Sequence, residues 1–184
     1  MSANFEYAFA RLIPHEGGYT DHPADRGGKT KFGVTEATWR AFCAEQRPQD
    51  RRGIHDITLD DAKAVYAHGF WAPLGLDYVK DGRIAYELFE IAVNCGPSDA
   101  ATIAQRAVNL SGRALNISVK VDGRLGPITR TALNAISLRY LSGLLGTINV
   151  LQGLRYIEIA EKDATQADFF NGWMARCLAE VGEG

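Results

Sequence analysis

His15-Glu16-Gly17-Gly18-Tyr19 opens a stretch, HEGGYTDHPADRGGKTKFGVT over residues 15–35, in which an apolar helical pattern gives way to glycine, proline and aspartate. Upstream, Phe5, Phe9, Leu12 and Ile13 fall on one helical face, which predicts an amphipathic helix over residues 3–14 ended by Gly17-Gly18. Residues 19–34 read as a loop with a short hairpin, the strand-like part being 31–34. Glu16 thus stands where helix passes into turn, and Asp25 follows nine residues on, with the Thr30 hydroxyl beyond it. Carboxylates presented from different backbone contexts acquire different pKa values, which is what acid/base cleavage of a glycosidic bond requires. A helix C-terminus disfavours the Glu16 negative charge and raises its pKa, Gly17-Gly18 removes side-chain bulk near it, and Tyr19 offers a ring for a sugar.

Downstream the chain reads as a string of helices. Thr35 caps a helix over Glu36–Phe42, residues 46–57 form a polar connection, and Thr58-x-x-Asp61 is a capping signature for a helix through Phe70. Pro73 and Gly75 interrupt the pattern. Ile84, Leu88, Ile91 and Ala92 resume it up to Asn94-Cys95-Gly96-Pro97, and Ser98 caps a helix to about Ala114. Pro127 suits a first helical position, a long helical pattern runs from about Ser137 to Lys162, and a last helix holds Trp173. Residues 117–121 are the one other strand-like run. The fold class is therefore mainly α with a small β-hairpin element beside the Glu16 motif.

With 184 residues the chain suits one compact unit over 1–184, and no linker, repeat or low-complexity run divides it. A net charge of −2 gives no general attraction to nucleic acid, so any polyanion site needs a local patch such as Arg26, Lys29 and Lys31. Cys43, Cys95 and Cys177 are odd in number, widely spaced and lack CxxC spacing, which points to small buried thiols and a reducing compartment rather than zinc or a disulfide. The N-terminus carries Glu6 and Arg11 and lacks a basic start, so it does not read as a secretory signal, and no apolar run spans a membrane.

The motif EGGYxxxPxDxGGxTxxGVT, met here by Glu16 to Thr35 with Pro23, Asp25, Gly27-Gly28 and Thr30 in place, resembles the opening signature of the glycoside hydrolase 108 N-acetylmuramidases. That lysozyme-like family includes phage endolysins and secretion activators. Further stretches from Ala92-Val93-Asn94 to Thr131 and from Phe169 to Arg176 extend the resemblance. It divides the chain into a catalytic-motif half, 1–91, and a peptidoglycan-binding-like helical half, 92–184. It implies a lysozyme-like fold, cleavage of the β-1,4 bond between N-acetylmuramic acid and N-acetylglucosamine, and no cofactor. Glu16 is then the general acid, and Asp25 and Thr30 hold the attacking water. Tyr19, Tyr86 and Asn94 are the substrate-binding candidates. The partner is the glycan strand of peptidoglycan. A protein made in the cytoplasm without a signal needs a holin or another export system to reach the periplasm and wall.

Each residue also has a plainer reading. Asp25 in Pro23-Ala24-Asp25-Arg26-Gly27 suits an Asx turn, and a hairpin threonine such as Thr30 is often structural. Gly27-Gly28-Lys29-Thr30 lacks the earlier glycine of a phosphate loop, because that position is Pro23. His15 and His22 have no metal-ligand spacing, and no cysteine has a nearby base. The run Asp122-Gly123-Arg124-Leu125-Gly126-Pro127-Ile128-Thr129 is similar to the DGxxGxxT motif of peptidoglycan-binding modules, yet it equally builds a turn and a helix start. Trp39, Trp71 and Trp173 read as core. Two rivals to the muramidase remain open: a lytic transglycosylase using one acid, and a non-catalytic peptidoglycan-binding protein.

Overall fold

A computed structural model describes residues 2–13, 19–20, 29–163 and 167–179. The chain packs as two units, Met1–Asp77 and Tyr78–Gly184. Helices dominate both, and the β structure is a three-stranded antiparallel sheet in the first, so the expected mainly α class with a small β element holds. No helix among the described residues is long and apolar enough to cross a membrane.

In the first unit α1 (Ala3–Leu12) starts at Ser2, whose Oγ accepts from the Phe5 amide at 3.3 Å. It ends two residues before the expected 14. Ile13 already has extended backbone, as the residue before a proline prefers, so Pro14 rather than Gly17-Gly18 sets the limit. Strands β1 (Tyr19–Thr20), β2 (Thr30–Lys31) and β3 (Val34–Thr35) follow, then α2 (Glu36–Gln46), α3 (Leu59–Tyr66), a π-helical turn over Ala67–Trp71 and the short α4 (Ala72–Leu74).

The helix expected through Phe70 is thus α-helical only to Tyr66. The π winding has a physical counterpart in the packing. Phe5 and Phe9, four apart on α1, meet Trp71 and Tyr66, five apart, edge-on at ring-centroid distances of 5.3 and 5.7 Å. A turn closed between residues i and i+5 brings side chains five apart onto one face, as an α-turn does not. Gly75 then ends α4 in the left-handed region at φ 58°.

The second unit holds α5 (Gly82–Cys95), α6 (Pro97–Ser111), α7 (Pro127–Lys162) and α8 (Ala167–Ala179). Asp81 caps α5 by accepting from the Arg83 amide at 3.0 Å. Ile84, Ala85, Leu88, Phe89, Ile91 and Ala92 are all buried, and α5 packs on α6 and α7. The long helical pattern begins at Pro127, ten residues before the expected Ser137, with one non-helical residue inside it, Tyr140 at φ −131° and ψ 38°. Trp173 on α8 stacks on the fully buried Tyr156 of α7 with ring centroids 5.0 Å apart.

Residues 117–121 are not a strand. Their neighbourhood is nonetheless bonded much as a strand would be, by amide side chains of α6. Asn109 donates to the Val119 carbonyl at 2.9 Å and accepts its amide at 2.7 Å. One turn earlier, Gln105 donates to Asp122 Oδ1 and the Arg124 carbonyl at 2.8 and 2.9 Å. Its Oε1 accepts the amides of Asp122 and Gly123 at 2.9 and 3.0 Å. Backbone groups that seek partners in pairs have found primary amides, which present one donor and one acceptor as a peptide does.

Candidate active site

The sheet supplies the frame. Thr20 pairs with Thr30 and Tyr19 with Lys31, and on the other edge Thr30 pairs with Thr35 and Lys31 with Val34. The expected strand over 31–34 is therefore two strands joined by a two-residue turn. Phe32 and Gly33 both have positive φ, 52° and 72°. That is the hairpin geometry whose twist suits antiparallel strands. Only Gly33 takes it without strain, and a Cβ there would also sit 2.6 Å from the Tyr66 hydroxyl oxygen. Tyr66, buried and pushed up to about 12 by that burial, donates from its hydroxyl to the Phe32 carbonyl at 3.4 Å.

Two further ties fix β2. The Lys31 ammonium donates to the His55 carbonyl at 2.7 Å, and the Glu36 amide donates to the Lys29 carbonyl at 3.0 Å. Thr35 closes the sheet and caps α2 through its Oγ1, which accepts the Thr38 amide at 3.1 Å. His55 belongs to the polar connection 47–58, which an ionic cluster organises. Arg52 grips Asp61 through two nitrogens at 2.7 and 3.1 Å and reaches Asp50 at 2.6 Å, while Arg47 pairs with Asp61 as well. Asp61 completes a capping box with Thr58. The Arg52 guanidinium lies 5.6 Å from the Trp39 ring centre, and the Trp39 indole donates to the Arg52 carbonyl at 2.9 Å. From sequence Asp61 was visible only as a helix cap.

Of the candidate catalytic residues, Thr30 is described: it is half-buried on the central strand, paired on both edges. Glu16 and Asp25 lie outside the described residues, as do His15 and His22 and the side chain of Tyr19. The last residue of α1, Leu12, stands four positions before Glu16 in the chain. Residues 21–29 connect the paired strands β1 and β2, so the chain positions that flank Asp25 are tied at Thr20 and Thr30.

Tyr86 and Asn94 are on α5 of the second unit. Tyr86 is half-buried, and Asn94 is exposed with its amide turned back to the Glu90 carbonyl and Oε1 at 2.9 and 3.3 Å. Glu87 and Glu90 are acids that the sequence reading passed over; both are only 3% exposed. Gln152 donates to Glu90 and, at 3.2 Å, to the Tyr156 hydroxyl, which burial and the Glu90 charge push far above the ordinary range. Their signal was two acids inside an apolar run that a helix buries on every side.

The Asp122-Gly123 turn is built as a structural element. Gly123 has φ 71°, and a Cβ there would meet Ser98 Oγ at 2.8 Å. Thr129 is buried in α7. Among the described residues no three His, Cys, Asp or Glu side chains gather as for a metal. Cys43, Cys95 and Cys177 form no disulfide; burial pushes the Cys95 thiol up to about 11 and also raises Cys43, so both are protonated at neutral pH. Trp39 and Trp71 are core residues, 1% and 3% exposed, whereas Trp173 is half-buried.

Comparison with known proteins places this frame. Residues 9–96 match the family described as glycosyl hydrolase 108, and residues 99–178 match the family described as "Predicted Peptidoglycan domain". No curated protein matches the chain. Among solved structures the chain is similar to Brucella abortus SagA, with 24% identity over 98% of this chain and 97% of that one and a TM-score of 0.69. The shared fold is mainly α and lysozyme-like. With its first part matching one family and its second the other, the chain is a glycoside hydrolase built from a glycosyl hydrolase 108 domain over residues 9–96 and a peptidoglycan domain over residues 99–178.

Proposed function

We propose that the protein is an N-acetylmuramidase that hydrolyses the β-1,4 bond between N-acetylmuramic acid and N-acetylglucosamine. The observation that carries this reading is the sequence order Glu16, Asp25, Thr30 inside a glycosyl hydrolase family match, with Thr30 on a strand that pairs with Thr20. Glu16 protonates the leaving oxygen. Asp25, aided by the Thr30 hydroxyl, draws the proton from a water that attacks the opposite face of the sugar. A water held by two groups suits inversion at the anomeric carbon. Tyr19, Tyr86 and Asn94 complete the substrate contacts.

The enzyme acts in the periplasm or wall after release by a holin or another export system. It serves bacteriolysis, as an endolysin does, or local wall editing linked to secretion. A lytic transglycosylase has no use for the pair Asp25 and Thr30, because its sugar hydroxyl replaces water. Purified protein and Glu16→Gln, incubated with peptidoglycan, decide the matter by mass spectrometry of the new ends. The expected result is reducing N-acetylmuramic acid ends from the wild type and a loss of at least about a hundredfold in the folded variant. Anhydro ends, or full activity in Glu16→Gln, would refute the reading.

A further inference from the structure

Between α6 and α7, within the second unit, lies an open cleft of about 210 Å³ lined by Asp99, Thr102, Ile103, Arg106, Arg155 and Glu158. Its charges balance, two guanidiniums against two carboxylates, but they are not all spent on each other. Arg155 Nε donates to Asp99 Oδ2 at 2.8 Å and its terminal nitrogen to Glu158 Oε2 at 3.4 Å. That holds the two acids beside one cation and leaves lone pairs on each and N–H groups on the guanidinium. Arg106 is exposed and makes no ion pair with any described residue.

A simple anion entering this cleft meets Asp99 and Glu158, and a simple cation meets Arg106. A dipolar group meets complementary charge at both ends. Neutral N-acetyl sugars rest on aromatic faces, and the lining has none. The volume lies below the roughly 300–1,000 Å³ of a drug-sized pocket and matches the end of one amino acid.

We propose that the cleft binds the zwitterionic end of a peptidoglycan stem peptide, its carboxylate on Arg106 and its ammonium on the oxygens of Asp99 and Glu158 that Arg155 leaves free. The inference rests on the peptidoglycan-hydrolase reading for its choice of zwitterion, and it gives the second unit a ligand of its own. Peptide recognition there would hold the protein on wall that still carries its stems, independent of the bond being cut.

The test is NMR titration of the full chain with N-acetyl-L-alanyl-γ-D-glutamyl-meso-diaminopimelate, whose one free amine is on the diaminopimelate, beside one analogue amidated at the diaminopimelate carboxylates and one acetylated at that amine. The tripeptide should shift signals of Asp99, Thr102, Arg106 and Glu158. Each analogue, and Arg106→Ala, should weaken binding by about tenfold or more, because each removes a charge-assisted contact. Arg106 is exposed, so the variant should keep the wild-type melting curve, and Arg106→Lys should retain part of the affinity. No shift at millimolar peptide, or analogues that bind as well as the parent, would overturn the proposal. Wall hydrolysis by protein that binds no peptide defeats this inference alone. Peptide binding by protein that cuts no wall sustains it and defeats the hydrolase reading instead.

Discussion

The two carboxylate oxygens of Asp61 accept from Arg47, from two nitrogens of Arg52, and from the amide and hydroxyl of Thr58. Burial alone would raise this carboxyl; the hydrogen bonds from Arg52, the Thr58 amide and Arg47 outweigh it and hold the group well below the usual carboxylate range. With a folded pKa beneath an unfolded value of about 3.9, the stabilisation is complete above about pH 4 and drains away as pH falls toward the folded pKa. Asp61→Asn should cost about 1–2 kcal/mol at neutral pH, a modest figure because solvent screens guanidiniums that are 37% and 39% exposed. Urea titrations at neutral pH and at about pH 3 should show the gap to wild type closing. A gap of constant size would refute the ionic account. Sequence revealed the cap, since Thr58 and Asp61 are three residues apart, but Arg47 and Arg52 reach Asp61 through an irregular connection that no periodicity describes. The proposed pair Glu16 and Asp25 stands in the opposite position: the motif alone names it, and residue types do not encode the distance between two carboxylates nine residues apart.

At the scale of elements, the β2–β3 turn joins backbone chirality to side-chain packing at one glycine. Gly33→Ala puts a Cβ in the left-handed region and against the Tyr66 hydroxyl, so it should destabilise by about 1–3 kcal/mol. Tyr66→Phe removes the oxygen that the Cβ meets. The double variant should therefore lose less than the sum of the two single losses, by at least about 0.5 kcal/mol, in a thermal or denaturant cycle. Strict additivity would show that the close approach carries no cost. Wall hydrolysis should fall with Gly33→Ala if Thr30 acts from this sheet. Gly33-Val34-Thr35 was readable as turn and cap because glycine and threonine have local reasons to stand there. Residues 117–121 misled because alternating Ile117, Val119 and Val121 look like a strand, and only α6 shows that Gln105 and Asn109 have taken the partner strand's place. The π turn at Ala67–Trp71 was illegible for a similar reason, its demand coming from Phe5 and Phe9 some sixty residues earlier.

For the whole molecule, the border between the two sequence families and the border between the two packing units do not coincide. The hydrolase match runs to residue 96, whereas the units divide between Asp77 and Tyr78, so α5 is counted with one family and packs on the helices of the other. A fragment of residues 1–98 would carry α5 without α6 and α7 and leave Leu88, Phe89 and Ile91 short of cover. It should bind the dye ANS and melt without a cooperative transition, or aggregate, whereas the full chain melts cooperatively. A soluble fragment with a sharp melt would overturn that expectation. Gene rearrangement meets the same obstacle as the laboratory cut. A recombination point placed between the two families strands a helix from its cover, so neither part is freely portable, and descendants of this arrangement should inherit both halves or have rebuilt the apolar surface of α5.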